Sequence, residues 1–495
     1  MNELNGMRVN VGDILDSIRF RGLPLLVMAC AAVVMILDGF DIQVIGFAAP
    51  ALAAEWGISR AALAPAFAAA LIGMAVGAFA LGIAGDRYGR RPAILMSVAC
   101  FGIGTLATAW ASNLEALIAL RFLTGIGLGG ALPNATALMA EFAPPKVRAQ
   151  AIVAAIVGVP VGGMLGASIA TEVIPLFGWR TIFQIGGVLP MLAGLVLYLK
   201  LPESARFLAT RPRRSPELAR ILNRIVNAQR FSAGQTFSLD AQASSQQGAG
   251  LRAVLSRELL PDTLALWIIF ITNLFAVYSF YNWASVVLTN IGLDLATAMR
   301  GSLIFNAAGV AGSILVSWLI ARVGSRWLQA MLGVVGAGTM LYVGHLVASI
   351  TPGTGTVPVH AIMIALAIAG FCILGVQITM YAVAAHLYPT VCRAAGVGWS
   401  VGIGRLGGVL SALVGGILMA NADAAVFFVA IAAILGLTVV AILTLRRHVL
   451  PVLPNRRVRS RRRQDVSAAG CARPGPDSVS VAAAASAAAP RARRE

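Results

Sequence analysis

Long apolar stretches, broken by short polar or basic turns, recur along this chain. Each is close to the roughly 20 residues that a helix needs to cross a bilayer core. The pattern predicts twelve spanning helices: α1 over about 23–50, α2 over 61–83, α3 over 93–112, α4 over 114–140, α5 over 150–172, α6 over 180–201, α7 over 262–291, α8 over 299–321, α9 over 327–349, α10 over 359–386, α11 over 394–420 and α12 over 424–446. The alternation of a membrane barrel is absent, so the fold class is an all-α membrane protein. Around the spans the chain divides into a cytoplasmic leader (1–22), an N-terminal six-helix half (23–201), a cytoplasmic linker (202–261), a C-terminal six-helix half (262–446) and a basic tail (447–495). The tail is Arg-rich, then Ala-, Pro- and Ser-rich, and is expected to be disordered.

The halves repeat each other. The turn from Glu141 through Pro144 to Arg148 aligns with that from His386 through Pro389 to Arg393, and Gly162 and Gly163 align with Gly407 and Gly408. The basic turn at 82–91 aligns more weakly with 317–326, matching Arg87, Gly89 and Arg91 to Arg322, Gly324 and Arg326. Ala321 stands where the first copy has Asp86. Transporters are commonly built from such repeats, with the site at the midplane between halves.

Composition narrows the class further. The chain is 58% apolar, 12% charged and has a mean hydropathy of +0.83, which excludes a soluble protein of 495 residues. Its net charge of +18 is no sign of nucleic-acid binding. The basic residues collect in the turns after α2, α4, α8 and α10, in the linker and in the tail, as topology signals do. By that rule both termini are cytoplasmic. The tail Arg residues serve topology, with binding to anionic lipid as the alternative. The first apolar run is a retained helix and not a signal peptide. Cys30, Cys100, Cys372, Cys392 and Cys471 show neither paired nor metal-ligand spacing, so no metal is expected. Gly125, Gly127, Gly129 and Gly130 lie mid-helix with no preceding strand and signal close helix packing, not a dinucleotide loop. No phosphate-binding loop and no nucleophile–base constellation are found; the chain is a non-enzyme without cofactors, expected as a monomer.

Candidate chemistry centres on Asp38 and Asp41 in α1. Carboxylates in hydrocarbon are costly and read by default as functional. Their spacing puts them on one helix face, directed at a polar cavity, while Gly39 between them allows close helix approach. They are a proton site, a substrate-coupling site or both; the plainer alternative is pairing with a neighbouring Arg. Arg405, about ten residues into α11, offers a planar fork for a substrate carboxylate, or a permanent pair for an acid of α1. Arg121 in α4 balances Asp38 or Asp41, or snorkels to the interface. Tyr278, Tyr281 and Asn282 in α7 offer an aromatic wall with polar edges; the alternative is an interfacial aromatic belt, which fits Trp283 best. Gln377 and Tyr381 in α10 are partners for a ring hydroxyl, or interhelical glue. Asn134 and Asn306 are similar cases. His345 and His386 near helix ends are read as interfacial.

At these residues the chain resembles the major facilitator superfamily. Gly82, Asp86, Arg87, Gly89, Arg90 and Arg91 form its marker turn. Pro202, Glu203, Ser204 and Arg206 look like the mark of its sugar and organic acid porters. Asp38 to Asp41, Gly46 to Pro50, the run from Leu387 to Thr390, Arg393, Trp399 and Gly404 to Gly407 are similar to its aromatic acid:proton symporter family. His386 departs from the Glu of sugar porters. The resemblance implies proton-driven import of small aromatic carboxylates, of hydroxybenzoate or benzoate type, across a bacterial inner membrane. It implies proton coupling at Asp38 and Asp41, substrate binding at Arg405, and gating by the turn containing Asp86 and by Glu141, Arg148 and Arg393, with Asp86, Arg90 and Arg91 as a latch. The alternatives are a proton-driven exporter of drugs or aromatic acids, an importer of a non-aromatic organic acid, and a membrane receptor for such acids.

Overall fold

The structure is a computed structural model that describes residues 9–226, 228, 231–232, 237–238, 250–350, 357–389, 392–421 and 423–451. Thr390 and residues 452–495 of the tail lie outside the described residues.

Among the described residues, twelve helices are long and apolar enough to span a membrane. They are α1 Leu23–Trp56, α2 Arg60–Tyr88, α3 Arg90–Thr108, α4 Leu114–Phe142, α5 Gln150–Phe177, α6 Trp179–Lys200, α7 Leu260–Asn290, α8 Leu295–Val323, α9 Arg326–Ala348, α10 Val359–Leu387, α11 Ala395–Asn421 and α12 Ala424–Thr444. Apolar side chains such as Phe79, Leu199 and Ile417 stay exposed on their outer faces. That would be a liability in water and is the normal state against lipid.

The first helix runs past residue 50, the end of its expected range, to Trp56. Pro50 sits inside α1, which stops instead at Gly57, whose left-handed backbone donates its amide to Ala53. Prolines are tolerated inside membrane helices because neighbours re-satisfy the freed carbonyls. Pro133, Pro175 and Pro190 are likewise interior. The polar segments are partly structured. The leader forms a helix, Val11–Ser17, and Val9–Asn10 pairs in parallel with Phe237–Ser238 of the linker. The linker also holds Ala205–Ala209 and Ser215–Val226. Residues 447–451, expected to be disordered with the rest of the tail, instead pack on the end of α8, where the Val449 amide donates to Ser325 Oγ over 2.9 Å.

The pairings within the two sets of six helices match. α2 packs on α4 as α8 packs on α10, α1 on α5 as α7 on α11, and α3 on α6 as α9 on α12. The sets meet where α5 lies on α8, α2 on α11 and α1 on α7. The repeat reaches to single contacts. Gly162 of α5 backs onto the Ile36 carbonyl of α1, and the aligned Gly407 of α11 backs onto the Ile271 carbonyl of α7. Gly39 meets the Val159 backbone in the same α1–α5 seam. A side chain at these points would collide with backbone, so glycine sets the helix separation.

Gly162→Ala is therefore expected to cost about 1–3 kcal/mol of stability through overpacking. Gly338→Ala, in α9 with open space around it, is expected to be neutral or slightly stabilising, since alanine is the better helix former. Thermal melts of the two variants in detergent check the contrast.

Candidate functional site

α1, α7, α10 and α11 converge on a cavity of about 80 Å³. Asp38, Tyr278, Tyr281, Gln377, Tyr381 and Arg405 all line it, among apolar neighbours such as Ile42, Leu132 and Val401. Asp38 is 2% exposed and Arg405 6%. Burial of both charges would favour a direct pair, yet Arg405 takes part in no ion pair among the described residues. One oxygen of Asp38 and Nη1 of Arg405 are buried without a hydrogen-bond partner. A fully paired structural bridge is therefore not what α1 and α11 form. The polar neighbours are held in place. Asn273 donates to Gln377 Oε1 over 2.6 Å, and Gln377 donates to the Tyr381 hydroxyl over 3.5 Å. The rings meet edge to face, Tyr278 with Tyr281 at 5.9 Å and Tyr381 with Phe270 at 5.4 Å.

Asp41 does not share this cavity. Three residues advance a helix by about 300°, so the two acids diverge by about 60°, enough here to turn Asp41 away from it. It lines a small adjoining void with Arg121 and Asn282. Asn282, expected on the aromatic wall, thus belongs to the second acid. Arg121 lies 3.5 Å from Asp41 and is 1% exposed, so it does not snorkel. It donates to the hydroxyls of Thr105, Thr108 and Thr124 over 3.2–3.3 Å and lies 5.2 Å from the Phe183 ring. The Thr105 hydroxyl donates to Asp41. None of these threonines stood out in the sequence, because threonine is unremarkable in an apolar helix.

Beyond the cavity, toward the ends of α1, α7 and α11, the two helix sets are closed. Trp283, read as an interfacial residue, is fully buried. Its ring stacks edge-on against Phe67 of α2 at 4.9 Å and lies on Gly415. Arg60 donates to the Val286 carbonyl, Thr289 and Asn290. Deeper in, Gln43 of α1 and Asn306 of α8 exchange two hydrogen bonds, of 2.8 and 3.3 Å. Gln43 was not singled out, although it follows Asp41 by two residues in an apolar run.

At the opposite end, Asp86 pairs with Arg90, which also donates to Asn134 over 3.0 Å. Arg91 does not join them. Its side chain donates to the Tyr198 carbonyl, and its amide to Glu203 over 3.1 Å. Of the contacts expected of Asp86 with both arginines, only that with Arg90 is present among the described residues. Gly89 has φ +112° and lies directly under the Glu203 carboxylate. Burial pushes the Glu203 carboxyl upward, opposed by the Ser204 and Arg91 amides. Arg87 lies over Tyr88, 5.5 Å from its ring, and its carbonyl accepts from Arg211. Glu141 accepts from Ser204. Arg148 donates to the Ala143 carbonyl at the end of α4, and the aligned Arg393 donates to the Tyr388 carbonyl at the end of α10. Arg148 also pairs with Asp16 of the leader at 2.9 Å.

Two matched sets of six helices around one buried cavity that holds an acid and a cation define a membrane transporter. The chain belongs to the Major Facilitator Superfamily, whose family model matches residues 31–357. It is similar to the 4-hydroxybenzoate transporter PcaK of Pseudomonas aeruginosa, with 36% identity over 79% of this chain and 84% of that one. A gallate transporter of Pseudomonas putida is 34% identical over 82% of this chain and 88% of that one. Among solved structures, a D-xylose-proton symporter superposes with a TM-score of 0.66 at 17% identity, covering 86% of this chain and 98% of that one, a likeness of fold. The chain is thus a multi-pass membrane transporter and not an enzyme.

Removing one member of a buried ion pair strands the other and costs about 3–5 kcal/mol. Arg121→Met is expected to lose that much stability in detergent. Adding Asp41→Asn to it is expected to restore more than half, and denaturation of the single and double variants checks this.

Proposed function

We propose that the protein is a proton-coupled symporter that imports small aromatic carboxylates, of 4-hydroxybenzoate or benzoate type, by alternating access. The observation that carries the reading is Arg405, a buried guanidinium without an ion-pair partner among the described residues, which lines one cavity with Asp38 and three tyrosines. Its planar fork matches a carboxylate. The tyrosines present ring edges and hydroxyls to an aromatic substrate. The cavity is far below the roughly 300–1,000 Å³ of drug-sized pockets, which favours a single small ring. Relatives named for 4-hydroxybenzoate, gallate and benzoate support the same class.

In this mechanism Asp38 takes up a proton while the cavity faces out, and the substrate carboxylate docks on Arg405. Each step removes a bare charge from the cavity and lowers the cost of closing apolar walls around it. Asp41 with Arg121 forms the second titratable centre, linked to the first through Tyr278, which borders both spaces. The six-helix halves, 23–201 and 262–446, then rock about the α1–α7, α2–α11 and α5–α8 seams. The positive-inside rule puts the termini and the Asp86 turn in the cytoplasm, so the Phe67–Trp283 seal is the outer gate. Asp86 with Arg90, and Glu141, Arg148 and Arg393 at the matching helix ends, belong to the inner gate. The transporter works as a monomer. One proton with one monoanion is electroneutral; a second proton would add a driving force of about 2.3 kcal/mol per 100 mV.

Cells making the protein are expected to accumulate labelled 4-hydroxybenzoate, and to stop doing so with a protonophore. Arg405→Ala strands a buried carboxylate contact worth roughly 2–5 kcal/mol, so uptake at low substrate is expected to fall by about 30-fold or more. Asp38→Asn is expected to abolish accumulation against a gradient while leaving exchange of internal for external substrate. Protonophore-insensitive accumulation, or undiminished uptake by Arg405→Ala, would sink the assignment.

A further inference from the structure

A second cavity, of about 670 Å³, lies where the starts of α9 and α11 meet the ends of α10 and α12. Arg326, Arg393, Arg446 and Arg447 line it with His386 and His448, and no carboxylate among the described residues does. Arg447 is answered by Glu258 and Asp262. The other three guanidinium groups have no ion pair among the described residues. Arg326 donates to the Leu443 carbonyl over 3.0 Å and Arg393 to the Tyr388 carbonyl over 3.3 Å. Asp262 accepts from the Arg446 backbone amide over 2.7 Å and not from its guanidinium.

The internal repeat explains this excess of positive charge. The spacing that aligns Glu141 with His386 also aligns Glu203 with His448. In the first half, Glu203 covers Gly89 and accepts from the Arg91 amide, and Glu141 lies beside it through Ser204. That basic turn carries its own counter-charge. In the second half the aligned Gly324 lies under the backbone of residues 449–451, and His448 shares a hydrogen bond with Ser325 over 3.3 Å. The architecture is kept and both acids are gone. His448 Nε2 is left buried without a hydrogen-bond partner. Burial pushes its imidazole down, toward the neutral form, and a histidine in either form cannot replace the missing carboxylate.

The surroundings say what kind of anion fits. Trp327, 70% exposed, stands at the cavity wall. Exposed Met331 and Val334 continue the same face of α9, and Leu437 and Val440 are exposed on the neighbouring α12. A charged cavity thus opens onto a lipid-facing apolar surface at the depth where tryptophan and arginine flank a bilayer. Arginine forks suit phosphate oxygens, and basic pockets between membrane helices hold anionic headgroups. We propose that this cavity binds the phosphate headgroup of an anionic phospholipid, whose acyl chains lie along α9 and α12.

The full-length protein in neutral detergent, titrated with dioctanoyl phosphatidylglycerol, dioctanoyl phosphatidylcholine or sodium phosphate, tests this by native mass spectrometry and thermal shift. Phosphatidylglycerol is expected to bind at least about 10-fold more tightly than phosphatidylcholine, and phosphate alone to leave the melting midpoint unchanged. H386E/H448E, which restores the acids of the first half, is expected to lose the preference, as is Arg446→Gln. Equal binding of the two lipids by the unmodified protein would overturn the proposal, a result that needs no variant to fold. So would stabilisation by phosphate alone to the same extent, which would make this a free-anion site. A folded H386E/H448E that keeps the full preference would also overturn it.

Discussion

A guanidinium and a carboxylate buried in one lipid-embedded cavity without a direct pair set the terms for the rest of this molecule. Either charge alone in hydrocarbon is costly, and a tight pair would cancel much of that cost. Here Arg405 comes from α11 and Asp38 from α1, each with an atom that lacks a hydrogen-bond partner. The two charges stay tolerable because polar residues stand among the apolar walls of the cavity, namely three tyrosines and the Gln377 amide held by Asn273. In the proposed cycle an anion and a proton complete the electrostatics of the empty site. Coupling in the proposed cycle therefore needs no relay outside the cavity.

Around that centre the two acids of α1 have different surroundings. Asp38 looks across at the opposite half. Asp41 is enclosed by its own half, with Arg121 and three threonines satisfying most of its surroundings. Glycine contacts at α1–α5 and α7–α11 set close helix packing within each half, and Gly46 of α1 backs onto the Tyr281 carbonyl across the seam between halves. That seam also holds the Gln43–Asn306 amide pair and the Phe67–Trp283 edge contact, the contacts that the proposed rocking motion would break.

Much of this was legible in the chain. The spans, the internal repeat and the two acids in an apolar run followed from hydropathy and spacing, and the residues on one cavity wall included Tyr278, Tyr281, Gln377, Tyr381 and Arg405. Rotation about each helix axis was not legible. A helix that meets lipid on one side and protein on the other is apolar all round, so the pattern does not say which way a side chain turns. Trp283 was therefore read at the interface when it is buried, Asn282 was put on the wrong cavity, and Asp41 was grouped with Asp38. The substitution of His448 for Glu203 across the repeat became readable only once the segment after α12 was seen packed on Ser325.

The most direct test of the central claim is net proton exchange on substrate binding by the purified protein. An anion placed on Arg405 beside Asp38 must favour the protonated acid, because a like charge nearby disfavours ionisation. Saturating 4-hydroxybenzoate, added in weak buffer and scanned upward from the ordinary carboxylate range, about pH 4 to about pH 9, is predicted to draw protons from solution, and to draw none in Asp38→Asn. Tight binding with no proton uptake across that range, or uptake unchanged in Asp38→Asn, would contradict the account.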